Sequence, residues 1–217
     1  MDEGENMKLP KELLRLAEER IAPYDTEGLV IGAGNENGDI MIVGEAPGEK
    51  EAVEGKPFIG RAGKELDKQL DYLGLTRDDV YITSAVRSRP YKWVKTTRKG
   101  TGGKRKANRK PNQKEILAHA PILDYQIEHM KPRWIIALGS VAYERLTGRK
   151  DKMTEIVGKS IETPIKKLKD QTGSEYTYTD EKFTVIPLYH PAAVFYNPVI
   201  KEDIYAALDQ LKDHLTK

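Results

Sequence analysis

Four short apolar runs limit what this 217-residue chain can fold into: Asp39-Ile-Met-Ile-Val-Gly44, Val80-Tyr-Ile-Thr-Ser-Ala-Val86, Trp134-Ile-Ile-Ala-Leu-Gly139 and Phe183-Thr-Val-Ile-Pro-Leu188. Their length and β-branched content are those of strands buried on both faces. Stretches at helical spacing alternate with them. Residues 10–20 open on Pro10, which suits a first helical position. Residues 61–73 place Ala62, Leu66, Leu70 and Leu73 on one face, and residues 112–130 do the same with Ile116, Leu117, Ile122, Leu123 and Ile127. Ser140 is a candidate N-cap for a further helix, and 203–215 closes the chain as a helix. Residues 148–180 read as polar and irregular, with room for one hairpin.

Strands alternating with helices imply a parallel sheet covered on both faces. The expectation is therefore an α/β fold, a three-layer α/β/α arrangement around a four-stranded parallel sheet in the order 2-1-3-4. Residues 1–217 form one domain, a length that suits a single full core. In such sheets ligands bind beyond the carboxyl ends of the strands. Those ends carry Gly44-Glu45-Ala46-Pro47-Gly48, Ser84, Gly139-Ser140 and His190-Pro191.

The chain has no cysteine, which excludes disulfides, thiolate nucleophiles and cysteine-held metal clusters. Four histidines, His119, His129, His190 and His214, are too few for a convincing all-protein transition-metal site. No cofactor or metal is expected. No run approaches the roughly 18 apolar residues that span a bilayer. The acidic start, Met1-Asp-Glu-Gly-Glu5, lacks the apolar core of a secretory signal. No membrane association and a cytoplasmic location are expected.

The net charge of +2 hides an asymmetry. Residues 87–110 hold eleven Lys or Arg and no acid, leaving a formal −9 on the rest of the chain. A polyanion would be drawn to that segment. The same segment also reads as a solvated loop. It contains Tyr91, Trp93, Gly100, Gly102 and Gly103, so aromatics that can stack on bases sit among cations that can neutralise phosphates.

Glycine and proline are dense in two adjoining blocks, 44–48 and Gly55-Lys56-Pro57-Phe58-Ile59-Gly60-Arg61-Ala62-Gly63, with Glu51 between them. Such loops are rigid and present backbone N–H groups. The spacing matches neither a phosphate-binding Walker loop nor a dinucleotide fingerprint. Glu45 is placed for a strand-end carboxylate facing a crevice, although a surface turn would carry a Glu equally well. His190, pinned by Pro191, can donate to developing negative charge, or it can be structural. Phe58 can stack on an extruded base or belong to the core.

Taken together, these blocks resemble the uracil-DNA glycosylase superfamily, most closely its family 4 branch. The resemblance runs through Gly32-Ala33-Gly34-Asn35, residues 44–48 and 55–63, Asn108-Arg109-Lys110-Pro111, Glu115-Ile116, Pro121-Ile122-Leu123, Gln126-Ile127 and His190-Pro191-Ala192. It implies a monofunctional glycosylase acting as a monomer on DNA that contains uracil or another deaminated base. By that resemblance Glu45 positions the attacking water and His190 stabilises charge on the leaving base. Phe58 stacks on the base, with Gly44, Ala46, Pro47, Gly48, Glu51, Ser84 and Asn108 around it. Lys104, Arg105, Lys106, Arg109, Lys110 and Ser140 hold DNA, and Val194, Phe195 and Tyr196 wedge into the duplex.

Three departures stand out. Family 4 members hold an iron–sulfur cluster on four cysteines, whose places fall near Glu19, Ala22, Ser88 and His119. The uracil-reading Asn of the family is Ser84, whose hydroxyl is shorter and less discriminating than an amide. The basic loop is long, like that of a subgroup that traps uracil-DNA covalently through a loop histidine, but Asn108 holds that place and cannot act as the nucleophile. A catalytically weak protein that binds damaged or single-stranded DNA is the alternative, and Ser84 favours it. A nucleotide-binding regulator lacks the phosphate loop it would need.

Overall fold

The computed structural model describes residues 7–96 and 103–215. The acidic N-terminus and Gly100 and Gly102 lie outside them. Helix α1 (Lys11–Ile21) follows Pro10 and buries Leu13, Ala17 and Ile21. Then come β1 (Thr26–Glu27), β2 (Ala33–Gly34), β3 (Ile40–Gly44), α2 (Glu49–Glu54), α3 (Arg61–Leu73) and β4 (Val80–Ser84). The middle of the chain forms β5 (Arg89–Lys95), β6 (Lys104–Asn108), α4 (Gln113–Met130), β7 (Trp134–Leu138) and α5 (Ser140–Thr147). The last part forms α6 (Met153–Ile156), β8 (Ile161–Leu168), β9 (Tyr176–Leu188) and α7 (Lys201–Leu215).

The main sheet has the order β2-β4-β3-β7-β9-β8. Its four central strands are parallel and stand in the predicted order, with β3 between β4 and β7 and β9 beyond β7. The sheet is wider than predicted because an antiparallel strand closes each edge. Ala33 of β2 pairs with Ile82, and β8 pairs along β9 from Ile161 to Leu168. Only one face of β8 is covered, so its buried Thr163, Ile165 and Leu168 are diluted by the exposed Glu162 and the half-buried Pro164, Lys166 and Lys167. That dilution makes the stretch read as irregular.

All five residues of β3, β4 and β7 are buried. Successive side chains of a strand face opposite ways. Ile40 and Ile42 pack with Leu66 and Leu70 of α3 and with Ile204, Leu208 and Leu211 of α7. Met41 and Val43 pack on the other side with Leu123 and Ile127 of α4 and Ala142 and Leu146 of α5. The three layers follow from this alternation.

The basic segment is not a loop as expected but mostly a hairpin. β5 and β6 pair Tyr91 with Asn108, Trp93 with Lys106 and Lys95 with Lys104, and β1 adds a third strand beside β5. Tyr91 and Trp93 stand at strand spacing within 89–95, but the charged residues among them mask it, and beyond Pro90 the strand is exposed or half-buried throughout.

Of the four positions matching cluster cysteines, Ala22 offers no donor and Glu19 is exposed and faces Arg15 at 3.8 Å. His119 and Ser88 are buried and meet each other, with Nε2 to Oγ at 3.3 Å. His119 Nδ1 lies 2.8 Å from the Glu115 carbonyl oxygen, so Nδ1 carries the proton and Nε2 accepts from Ser88. Ala17, Ile21, Ala118 and Ile122 fill the adjoining space. These side chains cannot hold an iron–sulfur cluster; packing, the His119–Ser88 hydrogen bond and Arg20 donating to the Leu117 carbonyl oxygen (3.0 Å) join α1, α4 and the approach to β5 instead.

This junction carries an acid-dependent cost. Burial pushes the His119 pKa down to about 4, with nearby Arg87 acting the same way and Glu115 opposing. The folded state therefore resists protonation that the unfolded state accepts. The stability is fully present above about pH 6.5 and is lost as pH falls toward 4. Denaturant unfolding at pH 7 and pH 4.5 should show the wild type losing on the order of 2 kcal/mol more than His119→Gln. Equal losses would remove His119 as the cause.

Candidate active site

The carboxyl ends of β3, β4 and β9 open into one cavity of about 610 Å³. Glu45, Ala46, Pro47 and Gly48 reach it from the turn after β3, Glu51 from α2 and Phe58 from the loop before α3. Ser84 comes from the end of β4, Asn108, Arg109 and Lys110 from the end of the hairpin, and His190, Phe195 and Tyr196 from the segment after β9. Gly44, Lys104, Arg105, Lys106, Ser140 and Val194 are not in its wall. Gly44 nevertheless shapes it, since a Cβ there would stand 2.6 Å from Phe58 Cζ.

Phe58 is held in place from several sides. Its backbone has φ of 52°, a left-handed conformation that costs a non-glycine residue roughly 1–3 kcal/mol. Arg77 donates to the carbonyl oxygens of Pro57 (3.1 Å) and Phe58 (2.5 Å) and is itself fixed by Asp67 at 2.7 Å. Glu51 Oε1 accepts from the N–H groups of Ile59 (3.0 Å) and Gly60 (2.8 Å). Glu51 thus lines the cavity but spends one oxygen on positioning the Phe58 loop. Gly63 completes the clamp, because a Cβ there would fall 1.7 Å from Phe58 O.

His190 stands two residues beyond the end of β9 and caps the short helical turn Pro191–Phe195. Its Nδ1 accepts from the Ala192 N–H at 3.2 Å. A neutral imidazole then carries its proton on Nε2, the nitrogen left to donate. Burial lowers its pKa, which keeps the ring neutral. The Phe58 and His190 ring centroids are 5.9 Å apart. Glu45 is half-buried, and desolvation raises its pKa while the Lys110 ammonium opposes that rise.

Ser84 is buried, and Arg87 donates to its carbonyl oxygen. Arg87 is fully buried, its other named acceptor is Gln126, and burial pushes its pKa down to about 9. Gln126 bonds in turn to Ile31 O, Thr83 and Tyr81. This buried network fixes the end of β4.

The expected DNA-contacting cations divide into two sets. Arg109 forks onto Glu115 at 2.8 and 2.5 Å, and Lys106 pairs with Glu27 and stands over the Tyr91 ring. Lys104, Arg105 and Lys110 are exposed. Asn108 accepts from Arg89 Nε at 2.7 Å, which leaves its amide N–H₂ toward Gly48. Ser140 lies outside the cavity wall and is the first residue of α5, not its N-cap as expected; Gly139, at φ of 90°, takes the cap position, and no side chain caps the helix. Arg61 is a wall residue the sequence reading did not single out, and its guanidinium lies 4.4 Å from the centre of the exposed Phe195 ring. Its place at the start of α3, in the block around Phe58, is the signal that points to it. Among the described residues, no group of three or more His, Cys, Asp or Glu gathers as a metal site, and no helix is long and apolar enough to cross a membrane.

The profile of the Uracil DNA glycosylase superfamily matches residues 31–212. A Type-4 uracil-DNA glycosylase of Saccharolobus solfataricus is 39% identical over 188 residues, covering 86% of this chain and 76% of that protein. The enzyme of the same name from Sulfurisphaera tokodaii is 33% identical over 200 residues, covering 90% and 78%. That of Thermotoga maritima is 31% identical over 216 residues, covering 93% and 96%.

Proposed function

The chain belongs to the uracil DNA glycosylase superfamily, and from that premise we propose that it hydrolyses the N-glycosidic bond of uracil, or a related deaminated base, in DNA. The observation that carries the reading is one cavity walled by a half-buried carboxylate, Glu45, a neutral imidazole, His190, and a clamped aromatic ring, Phe58. The target base leaves the stack, at a cost of a few kcal/mol that is least for a mispaired base, and lies against Phe58.

As the bond from the sugar C1′ to the base nitrogen lengthens, positive charge grows on the sugar and negative charge on the base. The Glu45 carboxylate faces the sugar and orients a water. His190 Nε2–H donates to the uracil O2, where negative charge collects. The water oxygen bonds to C1′, its proton is released, and the base departs as an anion. An abasic site remains. The strand stays intact, because water and not an amine displaces the base; the cavity lysines Lys50 and Lys110 serve as cations. Glu45 must be ionised and His190 neutral, the states that the opposing Lys110 and the burial of His190 favour. The protein works as a monomeric single domain in the cytoplasm and uses no metal.

Ser84 supports a second reading, a glycosylase-fold protein that holds damaged DNA with little chemistry, because one hydroxyl reads a base edge less well than an amide. A panel of oligonucleotides carrying uracil, hypoxanthine or xanthine separates the two. Release of uracil is the expected result, and tight binding without release of any base would establish the binder. Ser84→Asn should raise the ratio of uracil to hypoxanthine release by about 10-fold, the worth of one added hydrogen bond in a dry site. An unchanged ratio would show that Ser84 does not face the base.

A further inference from the structure

We propose that the hairpin of β5 and β6 carries a second nucleotide site, a stacking platform on Trp93 for an unpaired base of the strand that feeds the cavity. This rests on the reading of the cavity as a nucleobase site, and it names the form of DNA the protein prefers.

Cross-strand partners in a hairpin share a face. The pairing puts Arg89, Tyr91, Trp93 and Lys95 on the same face as Lys104, Lys106 and Asn108. That face has a direction. Asn108 stands at the cavity wall, beside Gly48. Next come Tyr91 and Lys106, whose ammonium lies 4.1 Å from the Tyr91 ring centre and 5.7 Å from that of Trp93. Trp93 follows, two strand residues beyond Tyr91 and so about 7 Å farther from the cavity. Lys95 and Lys104 complete the row.

Charge along the row changes with distance from the cavity. The acids near its base are already engaged. Glu27 pairs with Arg89 and Lys106, and Glu49 lies 3.6 Å from Arg89. Past Tyr91 the side chains are Trp93, Lys95 and Lys104, all exposed, with no acid in 87–110. A phosphate backbone is therefore favoured along the outer part of the hairpin.

Trp93 itself is 61% exposed. It meets Tyr91 edge to face, with centroids 6.0 Å apart and planes at 82°. An edge contact orients the indole and leaves ring surface open. An oriented, open aromatic between lysines is the construction that binds single strands with little regard to sequence, because every base has a π-face. A base held in a duplex has both faces covered by its stacked neighbours. The platform therefore selects unpaired DNA next to the target base.

The test uses Trp93→Ala and Trp93→Phe, at an exposed position where folding is not at stake. On a single-stranded uracil oligonucleotide, Trp93→Ala should raise KM about 10-fold, within the range for one stacked base, with kcat unchanged. On the matching duplex the change should stay within about twofold, and Trp93→Phe should restore most of the single-strand KM. The chain has two tryptophans, and Trp134 is buried, so stacking should also quench the exposed emission when uracil-free oligothymidylate binds. That quench should vanish in Trp93→Phe. Equal KM changes on both substrates, no KM change, or a quench that survives Trp93→Phe would each overturn the platform. Binding of uracil-free DNA needs no chemistry. If the wild type released no base while Trp93→Ala still weakened single-strand binding, the glycosylase reading would fall and the platform would stand.

Discussion

Replacing Glu45 with Gln, or His190 with Ala, should lower single-turnover release of uracil by roughly 100- to 1000-fold while DNA affinity stays nearly constant. Gln keeps the shape of Glu45 and removes its charge, so the expected loss is in the chemical step. Ala at 190 removes the Nε2–H donor that the Ala192 N–H fixes through Nδ1. The pH profile separates the two groups. Desolvation raises the Glu45 pKa, so the rate should climb with pH through a midpoint above the usual value of 4.5 as the carboxylate ionises. Lys110 acts to lower that pKa. Lys110→Met removes the opposing charge, and the acid limb should move to higher pH. A limb that stays put in Lys110→Met would mean another group controls it, and full activity in both Glu45→Gln and His190→Ala would dismiss the mechanism.

Gly63→Ala should unfold the Phe58 loop or the whole protein. The added methyl would lie 1.7 Å from a backbone oxygen, which no side-chain rotation can relieve. Either α3 shifts or the Phe58 carbonyl turns away from Arg77. The loop then loses the contacts that sustain a left-handed Phe58. A loss of at least about 3 kcal/mol in denaturant unfolding is expected, at the severe end of overpacking. Excision should fall with it even where the protein remains folded. Gly74→Ala is the control. Its Cβ would meet nothing within 4 Å, so only the left-handed backbone at φ of 74° is charged, about 1–2 kcal/mol. If Gly63→Ala cost no more than Gly74→Ala, the clamp on Phe58 would be unimportant.

The four central strands and their order were legible because β3, β4 and β7 are apolar runs buried on both faces and β9 ends in one, Val185–Leu188, although its half-exposed first part from Tyr176 was not read as strand. The edge strands were not. Two residues of β2 leave no periodicity, and β8 alternates buried and half-exposed polar residues. The hairpin 89–108 hid behind its charge, although Tyr91 and Trp93 already stood at strand spacing. Within the candidate site, residues named through glycine-rich blocks came together at one cavity, because such blocks sit where strand ends turn. Side chains whose place depends on distant partners were harder to assign. Nothing local says that Lys106 pairs with Glu27, that Arg109 forks onto Glu115, or that Glu51 holds the Phe58 loop.

The strand order has a consequence for how this chain comes into being. The inner strands β4 and β3 and the hairpin are all made in the first half of synthesis, whereas His190 follows β9, the last strand of the sheet in chain order. A ribosome-bound fragment can thus possess the cationic ribbon and the acidic half of the pocket well before the imidazole is translated. Grip on nucleic acid would precede the capacity to cut a base loose, and turnover would report that the final strand has docked.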